Sequence, residues 1–315
     1  MKFEFATARR IVFGDGTAMQ LSKHAAALGR RAFVITGSNP GRLSKLLDSI
    51  GEVTVSRFAA CAEPSTDLLA EAAGQARADA CDMVIGIGGG SVIDTAKAVA
   101  ALLTNSGAVM DYLEVVGLGK PLANPSAACI AVPTTAGAGA EVTRNAVLYV
   151  PDKQVKVSMR SATMLPRLAI VDPELACSMS AAVTASTGLD ALTQLIEPYV
   201  SHLANPLTDG ICLEGLARAV RSLRRAYEDG HDMQARRDMS LASLFGGLAL
   251  ANAKLGAVHG FAGALGGMIG APHGVICARL LPGVIGANIK ALLARDPENP
   301  APARYDRVAQ IMIGS

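Results

Sequence analysis

The sequence predicts an α/β domain built on a doubly wound parallel sheet, followed by an all-helical domain. Three observations predict it. Short apolar runs alternate with helix-like segments over the first 180 residues, a pattern that calls for parallel strands joined by right-handed crossovers. Two of these runs end in glycine-rich turns, at the strand ends where open α/β sheets bind ligands. From about Ser180 the pattern becomes purely helical. The domains are therefore placed at 1–180 and 181–315, with a cleft between them as the expected cofactor site.

In chain order, Phe3–Phe5 and Arg10–Phe13 read as a short hairpin ahead of a turn at Gly14-Asp15-Gly16. Ala32–Thr36 (AFVIT) is continuously apolar, as a strand covered on both faces is. Arg42–Ile50 reads as a helix and Glu52–Phe58 as a second strand. Ser65–Ala78 is a second helix with Ser65 or Thr66 as N-cap. Met83–Ile87 (MVIGI) is a strand that runs into Gly88-Gly89-Gly90-Ser91, and Val92–Thr104 is then helical. Ala128–Val132 (ACIAV) is a strand before Pro133, and Leu168–Val171 closes the sheet. Helices follow over Ala182–Val200, Pro206–Tyr227 and Met239–Gly256, then an Ala/Gly-rich apolar segment to Ile285.

Composition excludes several classes. Of 315 residues, 50% are apolar and 18% charged, enough for a sizeable core. Gly, His and Pro interrupt the long apolar stretches, such as the one after Gly256, so no membrane span is expected. Net charge is +2, and the densest basic run, Arg218–Arg225, sets Arg218, Arg221 and Arg225 at helical spacing. That run reads as a solvated helix face, with no nucleic-acid partner. The six cysteines are scattered without a CxxC pair. Their scatter speaks against a disulfide framework or a thiolate zinc site and for a reducing, cytoplasmic location. The start of the chain, MKFEFATARR, lacks the apolar stretch of a secretory signal.

Two loops and one cluster carry chemistry. Gly88-Gly89-Gly90-Ser91 sits between a strand and a helix, where glycines admit a phosphate and the helix start offers free N–H groups. Ser91 can cap that helix and donate to a phosphate oxygen. Asp94 and Lys97 lie one turn apart and suit a plain ion pair. Pro133–Glu141 (PTTAGAGAE) is a second glycine-rich turn, with hydroxyls at Thr134 and Thr135. Asp190 and Gln194 share a helix face, and His259 and His273 each precede a glycine downstream. Two imidazoles, a carboxylate and an amide oxygen can bind a divalent metal with a position left for an alcohol oxygen. Satisfied core histidines are the alternative, and the residues alone leave both open. His24, His202 and His231 lie in polar contexts that suit solvent-facing positions.

These motifs resemble the iron-containing (group III) alcohol dehydrogenases. GGGSVIDTAK (88–97) is similar to that family's phosphate loop, and PTTAGAGAEVT (133–143) to its threonine-rich loop. LAIVDPEL (168–175), TGLDALTQLIEPYVS (187–201) and AVHGFAGALGGMIGAPHG (257–274) match further family segments in order. The resemblance covers nearly the whole chain. It implies a Rossmann-like first domain, a dehydroquinate synthase-like architecture, and a homodimer. NAD or NADP would contact Gly37, Gly88, Gly89, Gly90, Ser91, Asp94, Lys97, Thr134, Thr135, Lys156 and Leu175. One divalent metal, Fe²⁺ before Zn²⁺, would sit on Asp190, Gln194, His259 and His273. Asp190, His259 and His273 match family ligands, with Lys156 beside them in catalysis or, alternatively, a solvated surface lysine.

The chain departs from the family pattern at several positions. Gln194 stands where the family carries a third histidine, and Gly263 where many members carry a proton-relaying one. Ala138 and Ala140 replace two hydroxyl residues. Gly37-Ser38-Asn39, with Arg42 nearby, replaces the aspartate of NAD-preferring members, so a 2′-phosphate is admissible. The chain also stops at Ser315, before the further C-terminal helices of other members, as a fragment would.

The implied reaction joins a small alcohol to its aldehyde or ketone by metal-assisted hydride transfer. Phe261, Met268 and Ile269 suggest an apolar substrate pocket. The competing readings are a metal-independent reductase resembling maleylacetate reductase, a non-redox dehydroquinate synthase-like lyase, and an inactive dinucleotide-binding scaffold. Chelation separates the first from the metal enzyme. The lyase needs a site richer in Lys, Arg and His, and the scaffold binds dinucleotide without turnover.

Overall fold

The computed structural model describes residues 2–60 and 63–314; Cys61 lies outside the described residues. The chain forms two compact units, one of Thr7–Thr134 and Ala140–Leu175, the other of Met1–Ala6, Thr135–Gly139 and Ala176–Ser315.

The first unit runs β1 (Ile11–Phe13), α1 (Leu21–Ala26), β2 (Arg31–Thr36), α2 (Ser44–Asp48), β3 (Thr54–Ala59), α3 (Thr66–Ala78), β4 (Met83–Gly88), α4 (Gly90–Thr104), α5 (Val109–Tyr112), β5 (Ala128–Pro133), β6 (Asn145–Val150), β7 (Val155–Arg160) and β8 (Leu168–Val171). Six strands form one sheet in the order β1-β8-β5-β4-β2-β3, every pair parallel. Alternate side chains of each central strand enter different cores, as the two-residue period requires. Phe33 and Ile35 of β2 join Val84 of β4 and the apolar faces of α3 and α4. Ala32 and Val34 join Met83, Ile85 and Ile87 against α1 and α2. Both faces are covered, which is why these strands are apolar throughout rather than alternating.

The structure corrects several expectations. Phe3–Phe5 form no strand, and β1 pairs with β8, Ile11 opposite Ala169. The backbone of the β1 segment is satisfied there, with Ala169 N–H donating to Arg10 O at 2.9 Å and Arg9 N–H to Pro166 O at 3.1 Å. β3 begins two residues later than expected, at Thr54. α4 begins at Gly90 with Gly89 as its N-cap and no side-chain cap, so Ser91 lies exposed in the first turn instead of capping the helix. An antiparallel hairpin, β6 with β7, was not anticipated. It turns through Pro151–Lys153 and Gln154, whose φ is +53°.

The second unit is helical: α6 (Ala181–Tyr199), α7 (Pro206–Glu228), α8 (Met233–Ala253), α9 (Ala257–Ile269), α10 (His273–Arg295) and α11 (Ala301–Ile313). Caps fix the starts. Ser180 accepts from Val183 N–H at 3.3 Å, and Asn205 from Thr208 N–H at 3.2 Å. Asp232 accepts from Ala235 N–H at 3.0 Å, starting α8 six residues before the expected Met239. Gly270, at φ +64°, ends α9.

α10 absorbs Gly274, Pro282 and Gly283 without a break. The expected interruption therefore fails, and by length and composition α10 is apolar enough to cross a membrane. Its Cys277 and Leu281 are buried in the core that α6 and α7 share. In the basic run of α7, Arg221 and Arg225 are exposed, as a solvated face requires. Arg218 and Arg221 converge on buried Asp238 of α8, at 2.7 and 2.8 Å.

Candidate metal centre and phosphate loop

α6 places Asp190, Gln194 and Glu197 at intervals of four and three residues, hence on one face. α9 brings His259 to them from its first turn, and α10 brings His273 as its first residue and Cys277 one turn later. Asp190, His259, His273 and Cys277 each turn one ligand atom inward, all four within 4.8 Å of one another. His259 Nε2 lies 3.4 Å from Asp190 Oδ1, and His273 Nε2 lies 3.7 Å from the same oxygen. Gln194 Nε2 donates to Asp190 Oδ2 at 3.2 Å and to Gly137 O at 3.3 Å. A carbonyl only accepts, so these contacts fix the amide nitrogen, and Gln194 Oε1 is left buried without a partner.

Three atoms of this group are buried and lack any hydrogen-bond partner: Asp190 Oδ1, Gln194 Oε1 and His259 Nε2. Buried polar atoms are almost always paired, and Asp190 and Gln194 are only 5% and 3% exposed. Three unbonded donors on adjacent side chains are what a divalent cation requires. The residues present therefore fit the metal that the sequence implied.

Glu197 orients the cluster from behind. Its Oε2 lies 2.5 Å from His259 Nδ1, and its Oε1 accepts from Val258 N–H at 2.7 Å. An imidazole with Nδ1–H bonded to a carboxylate presents a bare Nε2 to a metal. Burial disfavours a charged His259 ring, but Asp190, Cys277 and Glu197 outweigh it and carry its pKa up to about 11 in the metal-free chain. Burial pushes Asp190 up, and the two imidazoles beside it bring it below its ordinary value. The Cys277 thiol is raised by burial.

Glu197 and Cys277 were missed in the sequence. Glu197 continues the Asp190/Gln194 face by one turn, and Cys277 follows His273 by four residues, so helical spacing was the available signal. Where the scattered cysteines suggested no thiolate site, the Cys277 thiol lies within this candidate cluster. His24 is also corrected, being half-buried with Nε2 unbonded, whereas His202 and His231 are exposed. Phe261, Met268 and Ile269 stand 57%, 73% and 64% exposed on α9.

In the first unit, β4 feeds Gly88 into α4. A Cβ on Gly88 would sit 2.6 Å from a Val92 methyl, so close packing of α4 on its own strand accounts for this glycine. Thr134 N–H donates to Gly88 O at 2.9 Å, joining the two glycine-rich segments. Lys97 is fully buried and pairs with Asp94 at 2.8 Å. Its ammonium also donates to Ala140 O and Thr143 Oγ1, each at 2.9 Å, and to Asn145 O. Asp94 in turn accepts from Val147 N–H at 2.9 Å. The plain ion pair is present, and it ties α4 to β6 and the loop before it. Gly37 follows β2 directly, and Leu175 packs against the strand core. Lys156, on β7, pairs with Glu63 at 2.6 Å. Thr135 belongs with the helical unit and Thr134 with the α/β unit.

Fold and site together define a parallel α/β unit and a helical unit that carries a cluster of candidate metal ligands. Residues 8–173 match the model of iron-containing alcohol dehydrogenases, and 184–315 match the C-terminal model of the same family. The chain belongs to the iron-containing alcohol dehydrogenase family. Alcohol dehydrogenase 4 of Schizosaccharomyces pombe is 37% identical over 249 residues, covering 74% of this chain and 57% of that protein. The chain thus spans little more than half of that curated relative. A crystal structure of 1,3-propanediol oxidoreductase superposes with TM-score 0.90 at 33% identity, covering 99% of this chain and 80% of that one. Sulfoacetaldehyde reductase from Bifidobacterium kashiwanohense, solved with NAD⁺, superposes with TM-score 0.85 at 29% identity, covering 99% and 86%. The family uses NAD(P) and iron or another divalent metal.

Proposed function

We propose that the chain is an NAD(P)-dependent oxidoreductase that interconverts a small alcohol and its aldehyde or ketone, with a divalent metal held by Asp190, Gln194, His259 and His273. The observation that carries this reading is the trio of buried, unbonded donors at Asp190, Gln194 and His259. The metal-free reductase has no use for such a trio.

A divalent ion held by these residues would supply Lewis acidity toward the substrate oxygen, and bound NAD(P) would supply the hydride chemistry. The chain's own residues do the rest. Glu197 keeps the His259 proton on Nδ1, and Gly137 O and Asp190 Oδ2 hold the Gln194 amide nitrogen. On the other unit, Gly88, Gly89, Gly90 and Ser91, with the free N–H groups of the first turn of α4, receive the dinucleotide phosphates. Asp94 and Lys97 shape that loop through the contacts they make to β6. Gly37, Thr134, Thr135, Leu175 and Lys156 complete the cofactor contacts. With glycine at 263, no imidazole there takes the alcohol proton. His273, whose side chain is 42% exposed, leaves that side to water as the proton carrier.

A homodimer and a cytoplasmic location belong to the same proposal. No disulfide joins the five described cysteines, and light scattering measures the dimer. The site assignment is tested with His273→Ala, in which metal uptake and turnover are both lost. A variant that keeps its metal and its activity refutes the assignment.

A further inference from the structure

We propose that Cys277 is a protein ligand of the metal, its thiolate filling the ligand position that Gln194 serves poorly. This rests on the metal site of the proposed function and changes its composition. Three observations support it.

The first is distance. In a tetrahedral shell with metal–nitrogen and metal–oxygen bonds of about 2.1 Å and a metal–sulfur bond of about 2.3 Å, an N···O edge is about 3.4 Å and an S···N edge about 3.6 Å. The chain shows 3.4 and 3.7 Å from Asp190 Oδ1 to the two imidazole Nε2 atoms, and 3.6 Å from Cys277 Sγ to His273 Nε2. Three of the six edges among the four atoms are therefore at ligand spacing, and all four atoms lie within 4.8 Å of one another. The second is placement. Cys277 is fully buried and one helical turn from His273, so α10 delivers both ligands on one face. The third is the state of the neighbours. Asp190 Oδ1 and His259 Nε2 are buried and unbonded beside the thiol, so the sulfur does not stand alone as a small apolar filler.

Gln194 is the weaker donor. Its amide is neutral, and its nitrogen is already committed to Gly137 O and Asp190. A thiolate is a softer and stronger ligand and favours zinc over hard-ligand cations. The two residues divide the work, with Cys277 binding and Gln194 bracing Asp190.

The test is cobalt(II) loading of the full chain, with bound cobalt counted by elemental analysis and the near-ultraviolet spectrum recorded. A thiolate on cobalt gives an intense sulfur-to-metal charge-transfer band that oxygen and nitrogen ligands do not. We expect about one cobalt per chain with this band in the wild type and in Gln194→Ala. In Cys277→Ser and Cys277→Ala the band disappears. Loss of an orienting partner already costs 10- to 100-fold in metal affinity, so loss of the ligand itself weakens binding by at least about 100-fold. Stoichiometric cobalt without the band in the wild type overturns the thiolate ligand and leaves the metal-dependent reading standing. A band that survives in Cys277→Ala overturns it equally. No cobalt bound by the wild type overturns both. The wild-type spectrum decides even if a variant fails to fold.

Discussion

Replacing Glu197 by glutamine changes one atom and removes one charge, yet it disturbs two hydrogen bonds at once. Glu197 is buried, at 5% exposure, and accepts from Val258 N–H through Oε1 at 2.7 Å and from the His259 ring through Oε2 at 2.5 Å. Both neighbours donate, and a carboxylate can satisfy both. Glutamine has one accepting oxygen, so its NH₂ must face either Val258 N–H or His259 Nδ1. In the first arrangement two donors collide. In the second the ring must turn Nδ1 into an acceptor and carry its proton on Nε2, the atom that faces the metal. A hydrogen bond to a charged group is worth about 1.5–3 kcal/mol, which corresponds to roughly 10- to 100-fold in affinity and agrees with the usual effect of a histidine-orienting carboxylate. Zinc affinity, measured by competition with a chromophoric chelator, should fall by that factor while the far-ultraviolet circular dichroism is unchanged. An affinity within about twofold of the wild type would refute the claim that Glu197 sets the tautomer of His259.

Other perturbations test other parts of the account. Gly274→Ala places a Cβ 2.1 Å from Ser186 O, so α10 must move off α6; we expect about 1–3 kcal/mol of destabilisation in urea unfolding and weaker metal binding through His273. Asp238→Ala strips the acceptor from Arg218, Arg221 and Ser222. With the arginines partly solvated, thermal unfolding should report a loss of about 2 kcal/mol, toward the lower end for a broken buried pair. The same carboxylate is held at a pKa of about 2: burial opposes the charged form, but the two guanidinium groups and Ser222 outweigh it. Its contribution is therefore full above the unfolded value near 3.9 and is lost as pH falls through about 2. Acid unfolding of the wild type should steepen in that window, and Asp238→Ala should lack the step.

Much of this was legible because it is local. The MVIGI run meeting GGGS reads as a strand entering a helix, and the four-residue spacing of Asp190 and Gln194 implies a shared face whatever the tertiary fold. What escaped notice depends on distant segments. The pairing of β1 with β8 joins residues far apart in sequence, so the chain start resembled half of a local hairpin. The β6–β7 hairpin was hidden by the βα rhythm around it and by a turn without the Asn-Gly or Asp-Gly signal. Glu197 gains its role only when α9 packs back across α6. Cys277 was overlooked because thiolate sites were sought as CxxC pairs, whereas here the partner is a histidine one turn away. The Asp94–Lys97 ion pair was legible from its spacing, but the full burial of Lys97 follows from the strand that folds over α4.

The central claim is that buried donors on α6, α9 and α10 hold a metal on which turnover depends. The direct measurement is metal content by elemental analysis on protein purified without chelator, together with NAD(P)H oxidation over an aldehyde panel before and after EDTA. The account predicts about one divalent metal per chain, with activity lost on stripping and restored by added Zn²⁺ or Fe²⁺. Undiminished turnover in fully stripped protein would contradict it.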